Sequence, residues 1–223
     1  MNPSDIIEPT ARRIVIAGAS GLVGGHLLAG LLADPTVVEI HLLARREIPL
    51  RHDKIRLHVV DFRDLPELPP VDEAYLALGT TIKVAGSRDA FRAVDLEANL
   101  AVAKAAFETG ARRIGLVSAM GADKESSVFY NRVKGELEVA LRDLPTDATV
   151  IVRPSLLLGD RKRLDQPPRL GEALATLVMK PLGFLLPRDY RPVEAGKVAR
   201  ALLAEVPRAM GWRVMGSGEL QGY

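Results

Sequence analysis

Along this chain, short uninterrupted apolar runs alternate with longer stretches whose apolar residues recur at helical spacing. The runs predict strands near 13–17, 37–43, 55–60, 74–78, 113–118 and 148–153, with a short last strand at 212–215. The longer stretches predict helices near 22–33, 88–109, 128–142, 170–179 and 194–206. Unalternating strands separated by helices are the pattern of a parallel sheet covered on both faces, so the fold class is α/β with a doubly wound parallel sheet. The links at 44–54 and 61–73 are short and rich in proline or charge, and they cross over with little or no helix. In helix 88–109, Phe91, Val94, Leu96, Leu100, Val102 and Phe107 spread over a wide face and read as core. After residue 154 the alternation weakens and Pro and Gly accumulate, which predicts a short substrate-covering section attached to the sheet. The organisation expected is a flexible segment 1–12 and a single domain 13–223, with about 155–223 as the substrate-side extension.

The first strand runs directly into Gly18-Ala-Ser20-Gly21-Leu22-Val23-Gly24. A buried strand, a glycine turn and the first turn of a helix form the cradle of a dinucleotide pyrophosphate, the mark of a Rossmann-type sheet. Gly18 supplies the tight turn. Gly21 removes a Cβ that would block phosphates from the backbone, and Gly24 lets the helix lie close to the strand. The spacing is GxxGxxG rather than GxGxxG. An acidic residue after the second strand would bind a ribose 2′-OH, but this strand ends in Arg45-Arg46. Two guanidinium groups there suit a 2′-phosphate, so NADP(H) is favoured over NAD(H). Asp61-Phe62 ends the third strand, where adenine would lie. Leu78-Gly79-Thr80-Thr81 ends the fourth, where a glycine lets the backbone approach the cofactor.

Tyr130 and Lys134 stand four residues apart, on one helix face. An ammonium beside a phenol favours the phenolate, so Tyr130 is placed to exchange a proton with a carbonyl or alcohol oxygen while a nicotinamide exchanges hydride. Lys134 can also hold ribose hydroxyls. Ser118, ending the fifth strand, can bind the reacting oxygen. The Tyr-x-x-x-Lys spacing is common by chance. Its position after a strand-ending serine gives it weight.

With these residues in place, the chain resembles the short-chain dehydrogenase/reductase superfamily, in its extended or atypical branch. Within that branch it is most similar to the Tat-interacting-protein-type NADPH-binding oxidoreductases. The resemblance runs from about residue 13 to 205. It rests on GASGLVG, LGTT at 78–81, SAMGADKESSVFYNRVKGELE at 118–138 and VRPSLLLGDR at 152–161. It implies an NADP(H)-binding core with Ser118, Tyr130 and Lys134 at the catalytic positions. It also implies that Arg153-Pro154-Ser155 lines the nicotinamide pocket. Two departures matter: Ala119 follows Ser118 where many relatives have a second hydroxyl, and the substrate section is short. The expected function is reduction of a small carbonyl substrate or its reverse, and the alternative is an NADPH-binding regulatory or interaction protein without turnover. By analogy with related sheets, a homodimer would form through helices 88–109 and 128–142.

Composition narrows the rest. Of 223 residues, 30 are basic and 28 acidic, so no net positive field argues for nucleic acid. There is no cysteine, which excludes disulfides and thiolate chemistry and leads to the expectation of a cytoplasmic protein. The N-terminus does not read as a signal peptide. No apolar run is long enough for an integral membrane span. His26, His41, His52 and His58 show no ligand-like pairing, so no metal site is expected.

Overall fold

Ile14, Val15, Ile16 and Ala17 form a run without a polar side chain, and all four are fully buried. A strand with this pattern belongs at the centre of a parallel sheet. In the computed structural model, which describes residues 11–159 and 187–223, it lies there as β1 (Arg12–Ala17). On one side of it follow β2 (Val37–Ala44) and β3 (Ile55–Val59). On the other follow β4 (Glu73–Leu76), β5 (Arg113–Val117), β6 (Ala148–Arg153) and β9 (Gly211–Gly216). The order is β3-β2-β1-β4-β5-β6-β9, and every neighbouring pair is parallel. A separate two-stranded pair joins β7 (Leu157–Leu158) to β8 (Val193–Glu194). The strand order reverses between β1 and β4, and such a switch point opens a crevice beyond the carboxyl ends of the strands.

Each face of the sheet has its own core. On one, α1 (Leu22–Ala33) and α6 (Ala195–Glu205) pack Leu27, Leu31, Val198 and Leu202 against Ile14 and Ile16. On the other lie α3 (Arg88–Arg92), a π-helical turn (Ala93–Ala98), α4 (Asn99–Glu108) and α5 (Phe129–Arg142). Their Phe91, Val102, Val133 and Leu137 meet Val15, Ala17 and Leu76. The predicted helix 88–109 is therefore interrupted by a wider turn. Two short helices, α2 (Ile82–Ala85) and α7 (Ser217–Leu220), and a 3-10 turn at Arg188–Tyr190 complete the described chain.

The crossover from β2 to β3 and that from β3 to β4 contain no helix, in line with their prolines and charges. Instead Phe62, Leu68 and Val71 of the second crossover are themselves buried against the sheet. The strand β1 starts at Arg12, whose guanidinium bonds Glu73 and Asp34. Within 155–223, α6 and β9 are part of the central sheet and its helical layer, at the helix 194–206 and the strand 212–215 expected there. The expected helix 170–179 lies outside the described residues, as do residues 1–10.

Candidate functional site

The glycine turn closes at the switch point. Gly18 has φ +92°, a left-handed conformation that favours glycine. A Cβ on it would lie 2.4 Å from the Ala77 carbonyl carbon. The ends of β1 and β4 thus meet backbone to backbone. A Cβ on Gly24 would lie 2.0 Å from the Gly18 oxygen, so only glycine lets α1 begin so near the turn. The Gly21 amide donates to Gly18 O at 2.9 Å, and Gly21 is the N-cap of α1. No side chain caps the helix and no acidic residue stands in its first turn. The leading N–H groups of Leu22, Val23 and Gly24 are therefore the kind that an anion satisfies. Ser20 is exposed beside them.

Beyond β4, Gly79 and Thr80 lie over a buried ion pair. Lys134 Nζ is 2.7 Å from Asp95 Oδ1, with side chains 4% and 1% exposed. Asp95 Oδ2 accepts from the Thr80 amide at 2.8 Å. A Cβ on Gly79 would lie 3.5 Å from Asp95 Oδ1 and 3.9 Å from Lys134 Nζ. Asn99 Nδ2 donates to the carbonyls of Leu78 and Asp95 at 3.2 and 3.1 Å, fastening the π-helical turn to the end of β4. Thr81 has a different task, since its hydroxyl caps α2 by accepting from the Val84 amide. Tyr130, one turn ahead of Lys134 on α5, is half-buried with its ring 5.5 Å from that of Phe91.

Ser118 is buried, and its hydroxyl donates to Glu138 Oε1 at 2.5 Å. Arg153 holds the same carboxylate with Nε at 3.0 Å and Nη2 at 2.5 Å. This pairing raises the Arg153 pKa above its ordinary value. The serine proton thus points at a carboxylate that a guanidinium already grips twice. Pro154 O accepts from the Met120 amide, and the Ser155 hydroxyl donates to Arg191 O. The side chains of Arg153 and Ser155 are thus occupied in holding the loops together.

Arg45 and Arg46 follow β2 and are exposed. At the end of β3, Asp61 is paired with Arg63, which holds its carboxyl down to about 2. Phe62 beside it is packed into the core. The histidine reading also changes. His41 Nδ1 and His58 Nε2 lie 3.0 Å apart across β2 and β3, with Glu39 3.4 Å from His41 Nε2. Among the described residues there is no group of three or more His, Asp or Glu arranged to hold a metal ion, and no helix long and apolar enough to cross a membrane.

Asp95, Asn99 and Glu138 were not anticipated. For Glu138 a signal existed, since Tyr130, Lys134 and Glu138 continue one stripe of α5 at successive four-residue steps.

No family model matches the chain. The mitochondrial protein fmp52 of Emericella nidulans is 34% identical over 180 residues, which cover 76% of each chain. Rat HTATIP2 is 36% identical over 171 residues, 74% of this chain and 69% of the rat protein. The chain belongs to this family of atypical short-chain dehydrogenase/reductases. Its architecture is shared by the Bordetella bronchiseptica enzyme WbmG in complex with NAD. That enzyme is 16% identical, with a TM-score of 0.66 and coverage of 97% of this chain and 77% of that one. The chain thus has the Rossmann-type parallel sheet that the alternation of strands and helices predicted, in an oxidoreductase-like family. The cytoplasmic expectation does not stand, because FMP52 relatives from three fungi are named mitochondrial. A lack of cysteine fits any reducing compartment, so it had no power to choose among them.

Proposed function

We propose that this protein is an NADP(H)-dependent oxidoreductase acting on a small carbonyl or alcohol substrate. The observation that carries the reading is the junction at the switch point. There a turn only glycine can make lies beside a loop that sits on a buried lysine, one turn along α5 from Tyr130. A dinucleotide suits this cradle, because Gly18 and Gly24 let α1 start close against the turn with no side-chain cap over its leading amides. The pyrophosphate would take the amides of Leu22, Val23 and Gly24, passing close over Gly21, with Ser20 at its edge. Arg45 and Arg46 would grip the 2′-phosphate, and the backbone of Leu78, Gly79 and Thr80 would border the nicotinamide half. When bound, the nicotinamide supplies or accepts hydride. Tyr130 holds the proton that moves to or from the substrate oxygen. Lys134 orients ribose hydroxyls and provides positive charge near the phenol. Ser118, whose own proton faces Glu138, can act toward substrate only as an acceptor.

The test is NADPH oxidation over a panel of small carbonyl compounds with wild type and Tyr130→Phe. A positioned proton donor contributes about 10²–10⁴-fold. Loss of that order in Tyr130→Phe supports the mechanism, and full activity in the mutant contradicts it. One observation favours a second reading, a regulator that binds NADPH without turnover. The serine hydroxyl is taken up internally, and Ala119 supplies no replacement. This reading predicts tight NADPH binding, no turnover on any carbonyl, and a protein partner whose affinity changes with NADPH even in Tyr130→Phe.

A further inference from the structure

Lys134 is nearly inaccessible to water, and burial penalises an ammonium strongly enough to neutralise it or drive it out. What offsets the penalty is Asp95. This carboxylate is itself buried, 2.7 Å from the ammonium through one oxygen and 2.8 Å from the Thr80 amide through the other. Asp95 sits in the π-helical turn, a widened turn that is often found at functional sites. Asn99, one turn further on, ties that segment to Leu78 at the end of β4. Three elements therefore converge on one carboxylate: the β4 loop, the π-helical turn and α5.

We propose that Asp95 is a positioning residue for coenzyme binding. It keeps Lys134 charged and aimed at the ribose, and through Thr80 it fixes the loop that borders the nicotinamide half. This rests on the coenzyme reading above. Asp95 touches neither coenzyme nor substrate. It acts through Lys134, so its effect must vanish when that ammonium is gone.

The experiment is a double-mutant cycle on NADPH affinity, measured by calorimetry on the full chain. It compares wild type, Asp95→Asn, Lys134→Met and the double variant, with folding checked by circular dichroism. Asparagine keeps the shape of the side chain and one oxygen that can accept from the Thr80 amide, and it puts an uncharged amide that cannot accept where the carboxylate meets Lys134. Asp95→Asn should weaken NADPH about tenfold or more when Lys134 is present, the scale of a charge-assisted hydrogen bond. In the Lys134→Met background the same substitution should change affinity less than about twofold, the error of independent sites. Equal losses in both backgrounds, or no loss with Lys134 present, overturn the proposal. A purely structural Asp95 would lower the melting temperature without this dependence on Lys134. Should Asp95→Asn not fold, Asp95→Glu moves the charge by one methylene and takes the same two-background comparison. An equal change in both backgrounds contradicts the proposal there too. A wild-type chain that fails to bind NADPH overturns the coenzyme reading and this proposal together. Binding with an additive cycle overturns only the role of Asp95.

Discussion

Gly24 and Gly25 are neighbours in the first turn of α1, yet the structure predicts opposite responses to a single added methyl group. In Gly24→Ala the new Cβ would fall 2.0 Å from Gly18 O, 2.6 Å from Gly18 C and 2.9 Å from Ala19 Cα. Contacts under 3.0 Å are not sustained, so helix and turn must separate by at least 1.0 Å, the gap between 2.0 and 3.0. The helix cannot simply retreat, because Leu27, Leu28 and Leu31 are buried in a core shared with Val198 and Leu202 of α6. Overpacking of this kind costs about 1–3 kcal/mol. At about 2–4 °C per kcal/mol for a chain of this size, the melting temperature should fall by about 2–12 °C. The same separation displaces the amides of residues 22–24, so NADPH affinity should drop about tenfold or more, each factor of ten being about 1.4 kcal/mol. In Gly25→Ala the Cβ lies 3.6 Å from Ala19 O, an ordinary contact. Alanine is about 1 kcal/mol better than glycine inside a helix, so this variant should be as stable as wild type or more so. Calorimetric melting and NADPH titration of the two variants make the comparison. Equal melting temperatures and equal affinities for the pair would refute the steric argument.

Two other predictions concern side chains the sequence did not bring together. Burial chiefly depresses the pKa of His41 and of His58, with Glu39 pulling upward on both, and Arg13 and Arg56 stand against Glu39. Unfolded imidazoles titrate near 6.5, so the unfolded chain takes up protons first as pH falls. The pair's contribution to stability is present above about pH 6.5 and is lost as pH drops through the lower folded values. Urea unfolding at pH 7.5 and pH 5 should show this fall, and His58→Gln should make it smaller; an unchanged slope in that variant would discount the pair. In the second prediction, Glu138→Gln removes the carboxylate that Ser118 and Arg153 share. It should lower stability by about 1.5–3 kcal/mol, toward the lower end because Arg153 is a third exposed. Ser118→Ala should cost only about 1 kcal/mol and reduce turnover far less than Tyr130→Phe, since the serine proton already faces Glu138. Turnover lost equally in both variants would return Ser118 to a donor role.

The sheet was legible because its signals are local. Apolar runs such as Ile14 to Ala17 state burial on both faces, and proline in 61–73 removes a helix without reference to the rest of the chain. The glycine turn was legible for the same reason, since strand, turn and helix are contiguous. The partners of the site residues were not. Asp95 and Lys134 are 39 positions apart, and a single buried Asp inside an apolar helical face looks like an interruption of the core until its counter-ion is seen. His41 and His58 meet only because β2 and β3 pair in one register. The burial of Phe62 was not legible either, because a helix-free crossover buries its own side chains to cover the sheet. The return of α6 and β9 to the sheet after the Pro- and Gly-rich stretch was legible in the apolar pattern at 194–206 and 212–215.

The proposed activity depends on a dinucleotide in the first crevice of the sheet with its extra phosphate on paired arginines. Calorimetric titration of NADPH and NADH into wild type and into the Arg45→Ala, Arg46→Ala double variant measures this directly. Wild type should bind NADPH more tightly than NADH, and the double variant should lose about tenfold or more for NADPH while barely changing for NADH, since charge-assisted pairs contribute about 1.5–3 kcal/mol. Equal losses for the two nucleotides, or no binding of either by wild type, would contradict it.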